Sequence, residues 1–146
     1  MTEHGDPIRG RGPHGWWGMV LDAPDPRSLA RFYSRILGWQ VRTDREDWAT
    51  IHPGHGTSYL AFHVNPDYTP PTWPPAAGHQ QMMAHLDLGT ADLDGAVADA
   101  IAAGASLAAV QPQDDVRVML DPIGHPFCLF HDPDSAPDAA PASGAG

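Results

Sequence analysis

The sequence contains no lysine, and its eight basic residues are all arginine. That absence removes Schiff-base and pyridoxal chemistry, the phosphate-loop lysine and lysine-rich nucleic-acid binding from the mechanisms open to it. Glutamate is nearly missing as well, since only Glu3 and Glu46 accompany sixteen aspartates among the 18 carboxylates. A function that needs a buried glutamate therefore has two candidates. The single cysteine, Cys128, excludes an internal disulfide framework. No apolar run is long enough to cross a bilayer, and no charged segment followed by an apolar one opens the chain. The expected setting is a reducing cytoplasm, with no membrane partner.

What is present suits one compact domain or two very small fused modules, at 146 residues with a formal net charge of −10. The acidic balance leaves no clustered basic face for a nucleic acid, and Arg31 and Arg35, one helical turn apart, do not make one. Residues 1–14 mix Gly, Pro and charge without apolar periodicity and are read as a mobile N-terminal arm. Residues 132–146 are small, Pro-rich and polar, too poor in apolar surface to offset the entropy of ordering, and are read as a disordered tail. The folded domain is expected over 15–131.

Within it, Asp25 is a good N-cap, Pro26 fits the first helical position and Gly38 a helix stop. Leu29, Phe32, Tyr33, Ile36 and Leu37 between them recur at helical spacing. A second helix is expected from Asp92 to Ala103, with Leu93, Val97, Ala100 and Ile101 on its apolar face and Gly104 as its stop. A strand-like segment precedes each helix, at 16–22 and 82–88. Three follow each, at 39–43, 47–52 and 57–64, and at 106–110, 116–120 and 126–131. The order strand, helix, strand, strand, strand thus occurs twice.

An internal repeat agrees. Asp92 follows Asp25 at an offset of 67 (92 − 25), Gly104 follows Gly38 at 66 (104 − 38), and Phe62-His63 returns as Phe130-His131 at 68 (130 − 62). The modules are placed at 15–64 and 81–131. The crossing at 65–80, NPDYTPPTWPPAAGHQ, is stiffened by five prolines.

A βαβββ unit used twice in under 150 residues resembles the vicinal oxygen chelate superfamily, which includes glyoxalase I, bleomycin-resistance proteins, fosfomycin-resistance enzymes and extradiol dioxygenases. DAPDPRSLARFYSRILGW looks like the family's first strand and helix, HLDLGTADLDGAVADAIAAGA like the second, and DPIGHPFCLF like the closing turn and strand. The resemblance implies an α+β fold of two tandem modules, forming a curved, partly closed sheet around a central cavity, and a homodimer. It also implies that metal-dependent members place ligands, usually His or Gln and then Glu, at positions corresponding here to Gly18, Leu60, His85 and Cys128. Only His85 matches those residue types, and both glutamates lie elsewhere. The expectation is therefore no cofactor. If a divalent metal binds, His85 and Cys128 are its ligands.

Period-two alternation then assigns the faces. In the first strand Trp17, Met19 and Leu21 turn to the helix, leaving Trp16, Gly18, Val20 and Asp22 to line the cavity. Around the second module's first strand Ala84, Leu86 and Leu88 turn inward, leaving Met83, His85 and Asp87 open. In the last strand Phe127 and Leu129 face the helix and Cys128 and Phe130 the cavity. The strand at 57–64 is ambiguous by one residue: either Leu60, Phe62 and Val64 or Tyr59, Ala61 and His63 are inside.

The candidate catalytic group is His85, Asp87 and Cys128, an imidazole beside a carboxylate and a thiol. Candidate ligand-binding residues are Trp16, Asp22, Leu60, Phe62, His63, Trp73 and Phe130, whose rings suit an apolar or aromatic small molecule held by few polar anchors. Trp39 and Trp48 are read as core, and Trp73 as a clamp over the cavity or a pin for the crossing. Three functions remain open: metal-independent acid/base catalysis of isomerase, lyase or cyclase type, sequestration of a drug or natural product, and metal chemistry with an irregular set of His85, Cys128 and one of His52, His55 or His63.

Overall fold

A computed structural model describes residues 5–137. Glu3 and the end of the expected tail lie outside the described residues. The chain divides into two compact units, one up to Tyr68 and one from Thr69.

The first unit runs β1 (Trp17–Ala23), α1 (Pro26–Leu37), β2 (Gln40–Asp44), β3 (Trp48–His52) and β4 (Ser58–Val64). Its sheet has the order β1-β4-β3-β2, with β1 parallel to β4 and the other neighbours antiparallel. The second unit repeats the plan with β5 (Asp87–Thr90), α2 (Leu93–Ala103), β6 (Ser106–Leu107), β7 (Val116–Leu120) and β8 (Pro126–His131), ordered β5-β8-β7-β6. Both are βαβββ modules, the α+β architecture expected. Among the described residues no helix is long and apolar enough to cross a membrane.

The helices form where capping chemistry and apolar spacing coincide. The Asp25 carboxylate accepts the Ser28 amide at 3.3 Å, Pro26 opens α1, and Gly38 closes it with φ +72°. Asp92 caps α2 in the same way, accepting from the Gly95 amide at 3.0 Å. The buried face of α1 carries Leu29, Phe32 and Tyr33, and the ring of Tyr33 stacks on Phe62 of β4 at 5.8 Å. Each such ring removed from water contributes about 1.5–3 kcal/mol. In α2 only Ala100 is buried, and Ile101, expected on the apolar face, is 48% exposed.

Register settles the faces of β4. In a ladder, directly paired residues share a side, and Leu60 pairs with Met19 while Tyr59 pairs with Gly18. Leu60 and Phe62 therefore belong to the helix side, at 6% and 0% exposure, and Tyr59, Ala61 and His63 to the open side. Trp17, expected against the helix, is exposed at the start of β1. Trp48, read as core, lies on the open side opposite His63, its ring edge-on to the imidazole.

Two strands are shorter than their patterns suggest. The expected strand at 82–88 becomes β5 from Asp87, although the Cys128 amide still donates to the Leu86 carbonyl at 2.9 Å. The expected strand at 106–110 stops at Leu107 because the Gln111 side chain takes over the ladder. Its Nε2 donates to the carbonyls of Ala108 and Val118, and its Oε1 accepts the Val118 amide at 2.8 Å. A side-chain amide thus stands in for a strand neighbour.

The connecting segments are fixed by specific bonds. In the arm, Arg11 donates to the carbonyls of Trp16 and Gly15. In the crossing, Trp73 Nε1 donates to the Val110 carbonyl at 3.1 Å. Beyond β8, Pro133–Ser135 forms one 3-10 turn capped by Asp132. Between β7 and β8 the buried Asp121 carboxylate accepts the amides of Ile123 and His125, which closes the turn ahead of Phe127.

Candidate functional site

The second unit brings three sequence-selected residues together. Asp87 and Cys128 are direct partners in the parallel β5/β8 ladder, so their side chains leave the sheet on the same side. His85, two residues before Asp87, projects to that side too, and its Nε2 lies 3.0 Å from Asp87 Oδ1. One potential ligand atom from each of the three falls within 4.8 Å of the others. Phe130, two residues beyond Cys128, continues the face. With Val116, Asp115 and His131, these residues line a pocket of about 350 Å³.

The electrostatics divide the labour. Burial, then the Asp87 charge, then a hydrogen bond to the Asp87 carboxylate push the Cys128 thiol above its ordinary pKa. The thiol therefore stays protonated at neutral pH, and its proton points to Asp87. A thiolate nucleophile, which needs a lowered pKa, is not what this environment prepares. His85 and Asp87 are both substantially exposed, so their bond contributes at most about 1 kcal/mol to stability. Its consequence is orientation. An Nε2–H donated to Asp87 leaves Nδ1 as the nitrogen with a free lone pair.

The donor set also fits a metal ion. Imidazole nitrogen, carboxylate oxygen and, once its proton is released, cysteine thiolate sulfur are ligands used for zinc, and three protein ligands leave a coordination position for substrate or water. His85, Asp87 and Cys128 form the only such group of three found among the described residues.

The remaining candidates lie elsewhere. Asp22 accepts from Asn65 Nδ2 at 3.1 Å, and His63 faces Trp48. Leu60 and Phe62 pack in the core of the first unit, where the register leaves them no open surface. Trp73 holds the crossing to Val110. Trp16 stands half-exposed, edge-on to His52 with ring centroids 5.7 Å apart. Sequence reasoning named Tyr59 only within one of the two alternative faces of the strand at 57–64 and gave it no site role, yet it stacks on His52 at 5.8 Å. The signal available was Gly18, directly opposite it in the ladder. Nor did it select Asp115, which reaches the pocket from the loop before β7.

These features place the chain in the vicinal oxygen chelate superfamily. Within it, residues 18–130 match the model of the glyoxalase-like domain, and the chain belongs to that family. A glyoxalase/bleomycin resistance protein/dioxygenase family enzyme from Burkholderia phytofirmans PsJN is 19% identical, with a TM-score of 0.59 over 78% of this chain and 95% of that one. A glyoxalase/bleomycin resistance protein from Albidiferax ferrireducens T118 is 16% identical, with a TM-score of 0.54 over 80% and 97%. A glyoxalase-related enzyme from Fulvimarina pelagi is 18% identical, with a TM-score of 0.56 over 80% and 86%. At such identities the likeness establishes the fold. No curated protein matches the sequence significantly.

Proposed function

We propose that the second unit binds a small organic molecule in the pocket beside Phe130 and catalyses proton transfer on it, with His85 as the base. The observation that carries this reading is the 3.0 Å contact between His85 Nε2 and Asp87 Oδ1 at the pocket edge. A carboxylate that accepts Nε2–H fixes the imidazole tautomer and stabilises the imidazolium formed when Nδ1 takes a proton. The substrate class that suits this equipment is a carbonyl compound with an acidic neighbouring C–H. His85 Nδ1 removes that proton and returns it to the same or an adjacent atom, so the reaction needs no external oxidant or reductant. Phe130 supplies an apolar wall for the rest of the molecule. Cys128, held protonated, serves as a neutral hydrogen-bond donor and packing group beside the carboxylate.

The test uses solvent deuterium. A panel of aryl and alkyl α-hydroxyketones is incubated with the protein in D₂O, and deuterium at the α-carbon is followed by NMR. Exchange above background that falls at least about 100-fold in His85→Ala supports the reading, in line with the usual size of general-base contributions. Exchange equal in both proteins, or absent with every ketone, overturns it. Full recovery of a tightly bound ketone without isotope uptake identifies sequestration instead.

A second reading rests on the same three side chains. A divalent ion held by His85, Asp87 and Cys128 would polarise a substrate oxygen, and the residues themselves would fix its position and exclude other ligands. The resemblance to the superfamily further supports a homodimer, which light scattering tests. The free thiol supports a reducing cytoplasmic setting.

A further inference from the structure

The first unit carries an aromatic cluster that the proposed reaction does not use. Trp16, His52 and Tyr59 gather at one end of the open sheet face. Trp16 lies edge-on to His52 and tilted to Tyr59, with centroids 5.7 and 6.3 Å apart, and Tyr59 stacks on His52. Gly18 makes this possible, because a Cβ there would overlap the Tyr59 ring atoms. Trp16 remains 52% exposed, so the cluster offers a ring to an incoming molecule.

One of its polar atoms has no partner, and a cationic side chain stands beside it. Thr50 Oγ1 accepts the Thr43 amide at 3.2 Å and lies 3.3 Å from His52 Nε2. His52 Nδ1 is a buried nitrogen with no hydrogen-bond partner among the described residues. Arg42 stands at the irregularity where the β2/β3 register shifts, and its charge reaches His52. Four other arginines are engaged: Arg27 with Asp44, Arg45 with Asp47, and Arg11 and Arg117 with backbone carbonyls. Arg42 makes no hydrogen bond or ion pair among the described residues. The carboxylate on this face, Asp22, lies four residues along β1 from Gly18, roughly 13 Å at about 3.3 Å per residue. The Arg42 end is therefore locally cationic in a chain of net charge −10.

We propose that this cluster is a binding site for flat aromatic anions, with the ring laid on Trp16 and Tyr59 and the anionic group held by Arg42. The proposal goes beyond the acid/base reading and does not depend on it, since every residue belongs to the first unit. Aromatic stacking supplies area at low entropic cost, and the guanidinium supplies charge selection with bidentate geometry.

The probe is 2-naphthoate, with 2-naphthamide as the neutral isostere and 2-naphthylmethylammonium as the cation. Each is titrated into the full chain by calorimetry, with backbone amide NMR shifts to locate it. Naphthoate is expected to bind with shifts around Gly18, His52 and Tyr59, and at least about tenfold more tightly than the amide or the cation. Arg42→Gln, on an exposed residue, removes that preference and leaves the amide unchanged. Gly18→Ala weakens both by displacing Tyr59, and His85→Ala changes neither. Naphthoate binding that is absent, indifferent to Arg42→Gln, or lost in His85→Ala overturns the proposal, as does tighter binding of the cation.

Discussion

Gly18 and Tyr59 face each other across the parallel β1/β4 ladder, and the ring of Tyr59 occupies the space a side chain at position 18 would need. The glycine is a packing partner whose missing Cβ is the contact. Replacing it by alanine moves the ring and breaks its stack on His52. Because the clash is with the outer end of a side chain on the open face, the expected cost is modest, about 1 kcal/mol or less. Urea denaturation measures the loss, and the ring-current shift of His52 reports the displaced ring.

Cys128 is expected to react slowly with iodoacetamide at neutral pH, its rate rising only above the ordinary thiol range, because burial and Asp87 hold its proton. Asp87→Asn removes the neighbouring charge, so the midpoint of the pH–rate curve moves down and the rate near pH 8 rises several-fold. The linkage has a definite sign. The folded state binds the thiol proton more tightly than the unfolded chain, so the contribution is fully present below the unfolded thiol's pKa and is lost as pH rises through the folded one. Thermal melts across that alkaline window check the direction.

Adding Zn²⁺ should protect Cys128 from a disulfide reagent and release protons, since a bound thiol must ionise. Co²⁺ should give a near-ultraviolet thiolate charge-transfer band. Both responses should weaken at least about tenfold in His85→Ala and in Asp87→Ala. Equal protection in wild type and variants would assign the effect to cysteine alone and remove the second functional reading.

Asp121→Ala is expected to be the costliest polar substitution outside the site. The buried carboxylate accepts the amides of Ile123 and His125, and alanine leaves both donors without that partner. A loss of about 2–4 kcal/mol is expected, well above the roughly 1 kcal/mol expected for Asp25→Ala at the cap of α1. Chemical denaturation of the two variants side by side tests the ranking.

Much of the architecture was legible because it rests on local chemistry. Asp25 with Pro26 and Gly38, and Asp92 with Gly104, mark both helices, and their near-constant offset exposes the duplication. The grouping of His85, Asp87 and Cys128 combined alternation within each strand with the family resemblance, which implies that the first and last strands of a module are neighbours. What failed depends on bonds between distant residues. The end of β6 is decided by the Gln111 amide reaching Val118, which no periodicity announces. The Phe-His dipeptide, taken as part of the repeat, changes face between copies: Phe62 is in the core while Phe130 lines the pocket. Its offset is one larger than that of the helix caps, and one residue is enough to turn a strand over. The metal-ligand position read at Leu60 belongs to that slip.

The parallel pairing of β5 with β8 joins the first strand of its module to the last, with Asp87 and Cys128 separated by 41 positions (128 − 87). The pocket residues therefore cannot meet until the intervening loop has closed, an entropic step that grows slowly with length and is completed only when the final strand docks. A nascent or truncated module that ends at β7 carries His85 and Asp87 but lacks both Cys128 and the Phe130 wall of the pocket. The burial-slowed thiol of Cys128 then becomes a clock for module closure: fast to alkylate while the last strand is loose, slow once it has zipped into place.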